Sequence, residues 1–110
     1  MKQNIVADKS IAFAIRMIKA YQFLCKEQHE YIISKQMVRS GTSIGANVCE
    51  AEHAESKADF VHKMSFALKE ANETNYWLLL LNKSEYINSK EYDSIHKAVS
   101  YTHLTLPTKA

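Results

Sequence analysis

Apolar residues recur at three-to-four spacing along most of the chain, the period of an amphipathic α-helix. The first such segment opens near Asp8 or Ser10, both good N-cap residues, and carries two apolar rows. One row runs Ile11, Ala14, Ile15, Ile18, Tyr21, Gln22 and Cys25, with one polar entry. The second is Phe13, Met17, Ala20 and Leu24. Two rows predict a helix that meets more than one neighbour. Lys26 to His29 form a polar break.

The second segment extends from about Glu30 to Ala54, with Ile33, Met37, Ser40, Ile44, Asn47, Val48 and Ala51 in phase. It contains Gly41 and Gly45, each costing a helix about 1 kcal/mol against alanine. The periodicity passes through both. A continuous helix is therefore expected, its small residues letting a neighbouring backbone come close, in preference to a break at Gly41. Ser56 with Asp59 forms a capping-box pattern that opens a third helix, Lys57 to Lys83. Its stripe is Phe60, Met64, Ala67, Ala71, Thr74, Leu78 and Leu81. Asn88 with Glu91 opens a fourth in the same way, followed by Tyr92, Ile95 and Val99.

From Thr102 the pattern fails, in a β-branched run that ends at the chain's one proline, Pro107. The fourth helix is expected to stop near Tyr101, at roughly half the 35–40 Å expected for the second and third. Short connections make consecutive helices antiparallel neighbours. The expected architecture is all-α: an antiparallel up-down four-helix bundle over residues 1–99 with a truncated fourth helix, and a foreign-looking tail over residues 100–110. Facing positions of the second and third helices should sum to about 110. That register sets Ser43 against Ala67, Ser40 against Glu70, and Asn47 against Lys63 or Met64.

Composition supports this picture. The chain has 110 residues, room for one domain, and only two glycines and one proline, too few for the turns of an all-β fold. Cys25 and Cys49 lie in no C-x-x-C pair and read as reduced thiols packed as small apolar groups. The N-terminus lacks the apolar core of a secretory signal, and the longest strongly apolar run, Tyr76 to Leu81, is too short to span a bilayer. A cytoplasmic protein without a membrane role is expected. The net charge of +2 does not by itself declare a nucleic-acid binder.

The segment Arg39-Ser40-Gly41-Thr42-Ser43-Ile44-Gly45-Ala46-Asn47-Val48-Cys49-Glu50 resembles the bacterial four-helix-bundle proteins of intervening sequences in large-subunit ribosomal RNA genes. Asp59-Phe60 and Lys69-Glu70-Ala71-Asn72-Glu73-Thr74-Asn75-Tyr76-Trp77-Leu78 resemble the third-helix segment of that family. The likeness covers Val6 to Ala98. It implies an antiparallel four-helix bundle and no known catalytic residue. A related protein, the accessory variability protein of diversity-generating retroelements, is a homopentamer with a basic surface that binds nucleic acid and a reverse transcriptase. The resemblance thus implies a homo-oligomer, a pentamer by that relation, with RNA, DNA or a reverse transcriptase as partner. From Val99 onward the chain departs from the family pattern and resembles translated read-through of a sequencing adaptor.

Three constellations carry candidate chemistry. Lys9, Arg16, Lys19 and Lys26 fall on or near one face of the first helix, with Lys35 beyond the connection. They form a phosphate-binding stripe or, alternatively, an ordinary solvated face. Arg39, Ser40, Ser43 and Asn47, with Glu50, read mainly as a polar seam inside the bundle, in which Arg39 pairs with Glu70 or Glu73. A recognition surface is the other reading. Glu50-x-x-His53 and Asp59-x-x-His62 have the spacing of di-iron bundle ligands. They sit at the bundle end, and Asp59 is committed to capping, so no metal or cofactor is assigned. With no Gly-rich phosphate loop, a non-enzymatic binding module is expected. Its leading partner is nucleic acid or a nucleic-acid-processing protein. A purely structural protein–protein module is the alternative, and a metal-dependent enzyme the least favoured.

Overall fold

The structure, a computed structural model, describes residues 5–105, with side chains through residue 100. Four helices follow in order: α1 (Ile5–Lys26), α2 (Ile33–Glu52), α3 (Lys57–Lys83) and α4 (Ser89–Thr105). They form an all-α bundle in which α4, at 17 residues, is the shortest and α3, at 27, the longest. Met17, Leu24, Met37, Ile44, Leu78 and Val99 are essentially inaccessible and join all four helices in one core. No described helix is long and apolar enough to cross a membrane.

The expected caps form. The Ser56 hydroxyl accepts from the Asp59 amide at 3.0 Å, and Asn88 and Glu91 make the full reciprocal box at 2.7 and 2.8 Å. α3 ends in a Schellman motif: Glu85 N–H donates to the Asn82 carbonyl and Tyr86 N–H to Leu81, with Glu85 left-handed at φ 69°. A cap that the pattern did not signal belongs to Glu30. Its buried carboxylate accepts from the amides of Ile32, Ile33 and Ser34 at 2.7–3.1 Å, satisfying donors that α2 cannot use internally. Burial alone would push this carboxyl up. The hydrogen bonds from Ile33, Ser34 and Ile32 outweigh it and hold the group below the usual carboxylate range.

Four expectations need correction. α1 starts at Ile5, so Asp8 and Ser10 lie inside it; Ser10 is buried, and its hydroxyl donates to the Val6 carbonyl at 2.8 Å. α2 begins at Ile33 because Glu30 caps from outside it, which shortens the helix to 20 residues, about 30 Å. α4 continues to Thr105 and not only to Tyr101. β-branched residues lower helix propensity without forbidding it. Residues 106–110 of the expected tail lie outside the described residues.

The fourth correction is the α2–α3 register. The Thr74 hydroxyl meets that of Ser40 at 2.8 Å, and Lys63 meets Glu50 at 3.9 Å, so facing positions sum to about 114 where about 110 was expected. Side chains lean toward their own helix N-terminus, which moves each contact by about one residue on each helix. Both shifts raise the sum in an antiparallel pair.

α2 is continuous through both glycines, as the periodicity predicts. A Cβ on Gly41 would lie 2.5 Å from Met17 Cγ and 2.9 Å from its Sδ; one on Gly45 would lie 3.3 Å from Ser10 Cβ. The glycines thus let α1 settle against the α2 backbone. This contact turns Phe13, Met17 and Leu24 inward and leaves Ile11, Ile15 and Ile18 at 50, 50 and 43% exposure. Only one of the two apolar rows is a core row.

Gly41→Ala should lower stability by about 1–3 kcal/mol, because displacing fully buried Met17 outweighs the roughly 1 kcal/mol gain in helix propensity. At Gly45 the contact is looser, and alanine should change stability by less than about 1 kcal/mol. Denaturant melts of both variants check this; equal losses would contradict the tighter fit at Gly41.

Candidate interaction surface

α1 and α4 do not close tightly along their length. Two adjoining hollows of about 440 Å³ each run between them and share Arg16 and Ser94. The floor is apolar, built on Phe13, Leu24, Ile87 and Ile95, all at most 8% exposed. Small side chains (Ala12, Ala20, Ser94 and Ala98) keep the groove open, and Phe23 stands half out of one end.

Around this floor stand Lys9, Arg16 and Lys19 from α1 and Lys90 and Lys97 from α4. The one carboxylate on the rim, Glu91, is occupied capping α4. Five cations and one carboxylate line the groove, in a chain whose formal net charge is only +2. Arg16 spans the groove: its guanidinium bonds the Ser94 hydroxyl and reaches the Ser94 carbonyl at 3.4 Å. Charge is therefore concentrated here and balanced elsewhere.

The structure brings together three of the five cations singled out from sequence. Lys26 sits at the exposed end of α1 beside Tyr21 and Tyr31, and Lys35 is exposed on the first turn of α2; neither lines the groove. Lys90 and Lys97 escaped the sequence reading. Their seven-residue spacing places them on one face of α4, but nothing in a linear pattern says that this face adjoins α1.

The family-motif row does not form a buried ionic seam. Ser40 is buried and donates to the Met37 carbonyl at 3.2 Å while bonding Thr74. Ser43 and Asn47 turn back onto their own helix, donating to the carbonyls of Arg39 and Ser43 at 2.8 and 2.9 Å. Arg39 and Glu73 are exposed, and Glu70 is half-buried. Successive residues are about 100° apart around a helix, so Arg39 lies well off the Ser40–Ile44 line that faces the core. Glu50 is exposed, and its pairing with Lys63 is a surface contact.

Arg39 shares a shallow polar hollow of about 520 Å³ with Gln36, Lys69, Asn72, Glu73 and Tyr76. Burial and the neighbouring Glu73 carboxylate push Glu70 above the usual carboxylate range, and Arg39 and Lys69 oppose the shift through space.

The other titratable groups are engaged elsewhere. His53 Nδ1 lies 3.1 Å from the Cys49 carbonyl, and His62 packs edge-on against Phe66 with ring centroids 4.7 Å apart. No group of three or more His, Cys, Asp or Glu among the described residues is placed to hold a metal. Cys25 is half-buried, with its sulfur 3.9 Å from the Ser34 hydroxyl. Cys49 is exposed, which corrects the expectation that both thiols pack.

Because Arg39 is exposed, Arg39→Ala should change stability by less than about 1 kcal/mol. A denaturant melt showing a loss of 3 kcal/mol or more, the cost of orphaning a buried partner, would restore the ionic seam.

Comparison with known proteins accords with this architecture. No curated protein matches the chain. It is similar to a crystal structure of a protein of unknown function from the S23 ribosomal protein family of Bacteroides thetaiotaomicron. Identity is 53%, the match covers 91% of this chain and 93% of the other, and the TM-score is 0.90. The profile of the 23S rRNA-intervening sequence proteins matches residues 2–105. A family match over residues 2–105, a range that takes in all four helices, places the chain in the 23S rRNA-intervening sequence protein family.

Proposed function

We propose that this protein is a non-enzymatic, homo-oligomeric binding module of the cytoplasm that holds nucleic acid by its phosphate backbone. The observation that carries this reading is the convergence of Lys9, Arg16, Lys19, Lys90 and Lys97 on one groove edge. Cations so arranged release counterions from a polyanion, giving salt-sensitive and sequence-tolerant attachment. The family's link to ribosomal RNA favours RNA over DNA. A nucleic-acid-processing protein such as a reverse transcriptase is the second partner class.

Self-association draws support from a separate face. Ile11, Ile15 and Ile18 follow a four-three spacing, the seam of a helix that packs on another helix, and about half of each side chain is exposed. Arg16 lies about 100° around α1 from Ile15, so this seam and the basic groove can be used together. A pentamer built through α1 would repeat the groove five times around its periphery. A purely structural module would use the isoleucine seam and leave the cations idle.

Binding of a labelled single-stranded RNA, followed by anisotropy across salt concentrations, separates these readings. Five phosphate contacts predict a log–log slope of about −3 to −4. Lys90→Glu with Lys97→Glu should weaken binding at least about tenfold, and Lys26→Glu with Lys35→Glu much less. No binding at about 50 mM salt leaves only the structural module. Ile15→Lys should shift the protein to monomer in sedimentation velocity; an unchanged oligomer would move the self-association face elsewhere.

A further inference from the structure

A phosphate backbone uses cations but has no use for an apolar floor. The groove between α1 and α4 has both. Its base is Phe13, Leu24, Ile87 and Ile95, with Phe23 exposed at one mouth, and cations line both walls. We propose that this groove docks an acidic amphipathic α-helix of a partner protein, its apolar stripe on the floor and its carboxylates against Arg16, Lys19, Lys90 and Lys97.

Dimensions and charge select this occupant. From Lys9 to Phe23 the two hollows together follow α1 for 14 residue steps, about 21 Å, the length of four turns of a docked helix, once Arg16 swings from Ser94 onto a carboxylate of that helix. The small residues Ala12, Ala20 and Ala98 let a third helix come close to two that are already packed. Cations stand on both walls, so the partner needs carboxylates on both flanks of its stripe. A neutral apolar helix would leave Arg16, Lys19, Lys90 and Lys97 partly desolvated without a carboxylate to meet them, and a basic helix would be repelled. Helix-in-groove recognition has this form: apolar anchors at i, i+3, i+4 and i+7 give affinity, and flanking charge gives selectivity. Because the same cations serve both ligands, the docked helix and nucleic acid exclude one another.

The test uses the full chain and a fluorescein-labelled 18-residue peptide with leucines in one helical stripe and glutamates elsewhere. A control peptide has the same composition with the stripe scrambled. The striped peptide should bind in the micromolar range, and the scrambled one at least tenfold more weakly. Ala12→Trp fills the groove from an exposed position without touching the core, and should reduce peptide affinity at least tenfold while leaving single-stranded RNA affinity within about twofold. Lys90→Glu with Lys97→Glu should weaken both ligands, and circular dichroism checks that each variant keeps its helix content. Equal binding of the two peptides, no binding of the striped peptide at 100-fold higher concentration, or indifference to Ala12→Trp each overturns the docking site. Loss of RNA binding alone removes the nucleic-acid reading and leaves the docking site standing.

Discussion

The contact between the glycines of α2 and the inner face of α1 sets the rest of the molecule. Gly41 and Gly45 lie one helical turn apart and give α1 a flat backbone to rest on, with Met17 and Ser10 as the residues that settle there. That contact fixes the rotation of α1 about its own axis. A helix with two apolar rows has two nearly equivalent ways to face a core, and close packing at one site decides between them. With Met17 over Gly41, the isoleucine row turns to solvent and Lys9, Arg16 and Lys19 turn toward α4. The outward seam and the basic groove are consequences of one steric fit.

The other three helices are placed mostly by local means. Side-chain caps begin α3 and α4, and a Schellman motif ends α3. The carboxylate of Glu30 starts α2 from outside it. These devices fix where each helix starts and stops, and antiparallel packing follows from the short connections. Several buried hydroxyls are tied to nearby backbone, as with Ser10, Ser34 and Ser40, and Ser40 also bonds Thr74 across the α2–α3 contact. The surface that the helices leave between them combines charge with apolar area.

The basic groove differs from a generic solvated face in two respects. Its cations come from two helices that are distant in sequence, and they surround apolar surface. A charged rim around an apolar floor is the usual anatomy of a protein-recognition site, where the floor supplies affinity and the rim selectivity. The two proposed ligands, a phosphate backbone and an acidic helix, would draw on one set of cations and so would occupy the groove in turn.

Much of this was legible in the residues alone. Four helices, the boundaries of α3, the capping boxes at Ser56 and Asn88, and the unbroken passage of α2 through its glycines all follow from spacing and cap chemistry, which act over a few residues. The motif from Arg39 to Glu50 and the segment from Lys69 to Leu78 were enough to indicate the family. Rotation and register were not legible, because they depend on atoms far apart in the chain. The choice between the Phe13 and Ile11 rows needed Met17 to meet Gly41. The α2–α3 offset of one turn shows only in contacts across the pair, Ser40 with Thr74 and Glu50 with Lys63, to which side-chain lean contributes. Lys90 and Lys97 joined Arg16 only once α4 lay beside α1. Local pattern determined which helices form; long-range packing decided which of their faces remain for a partner.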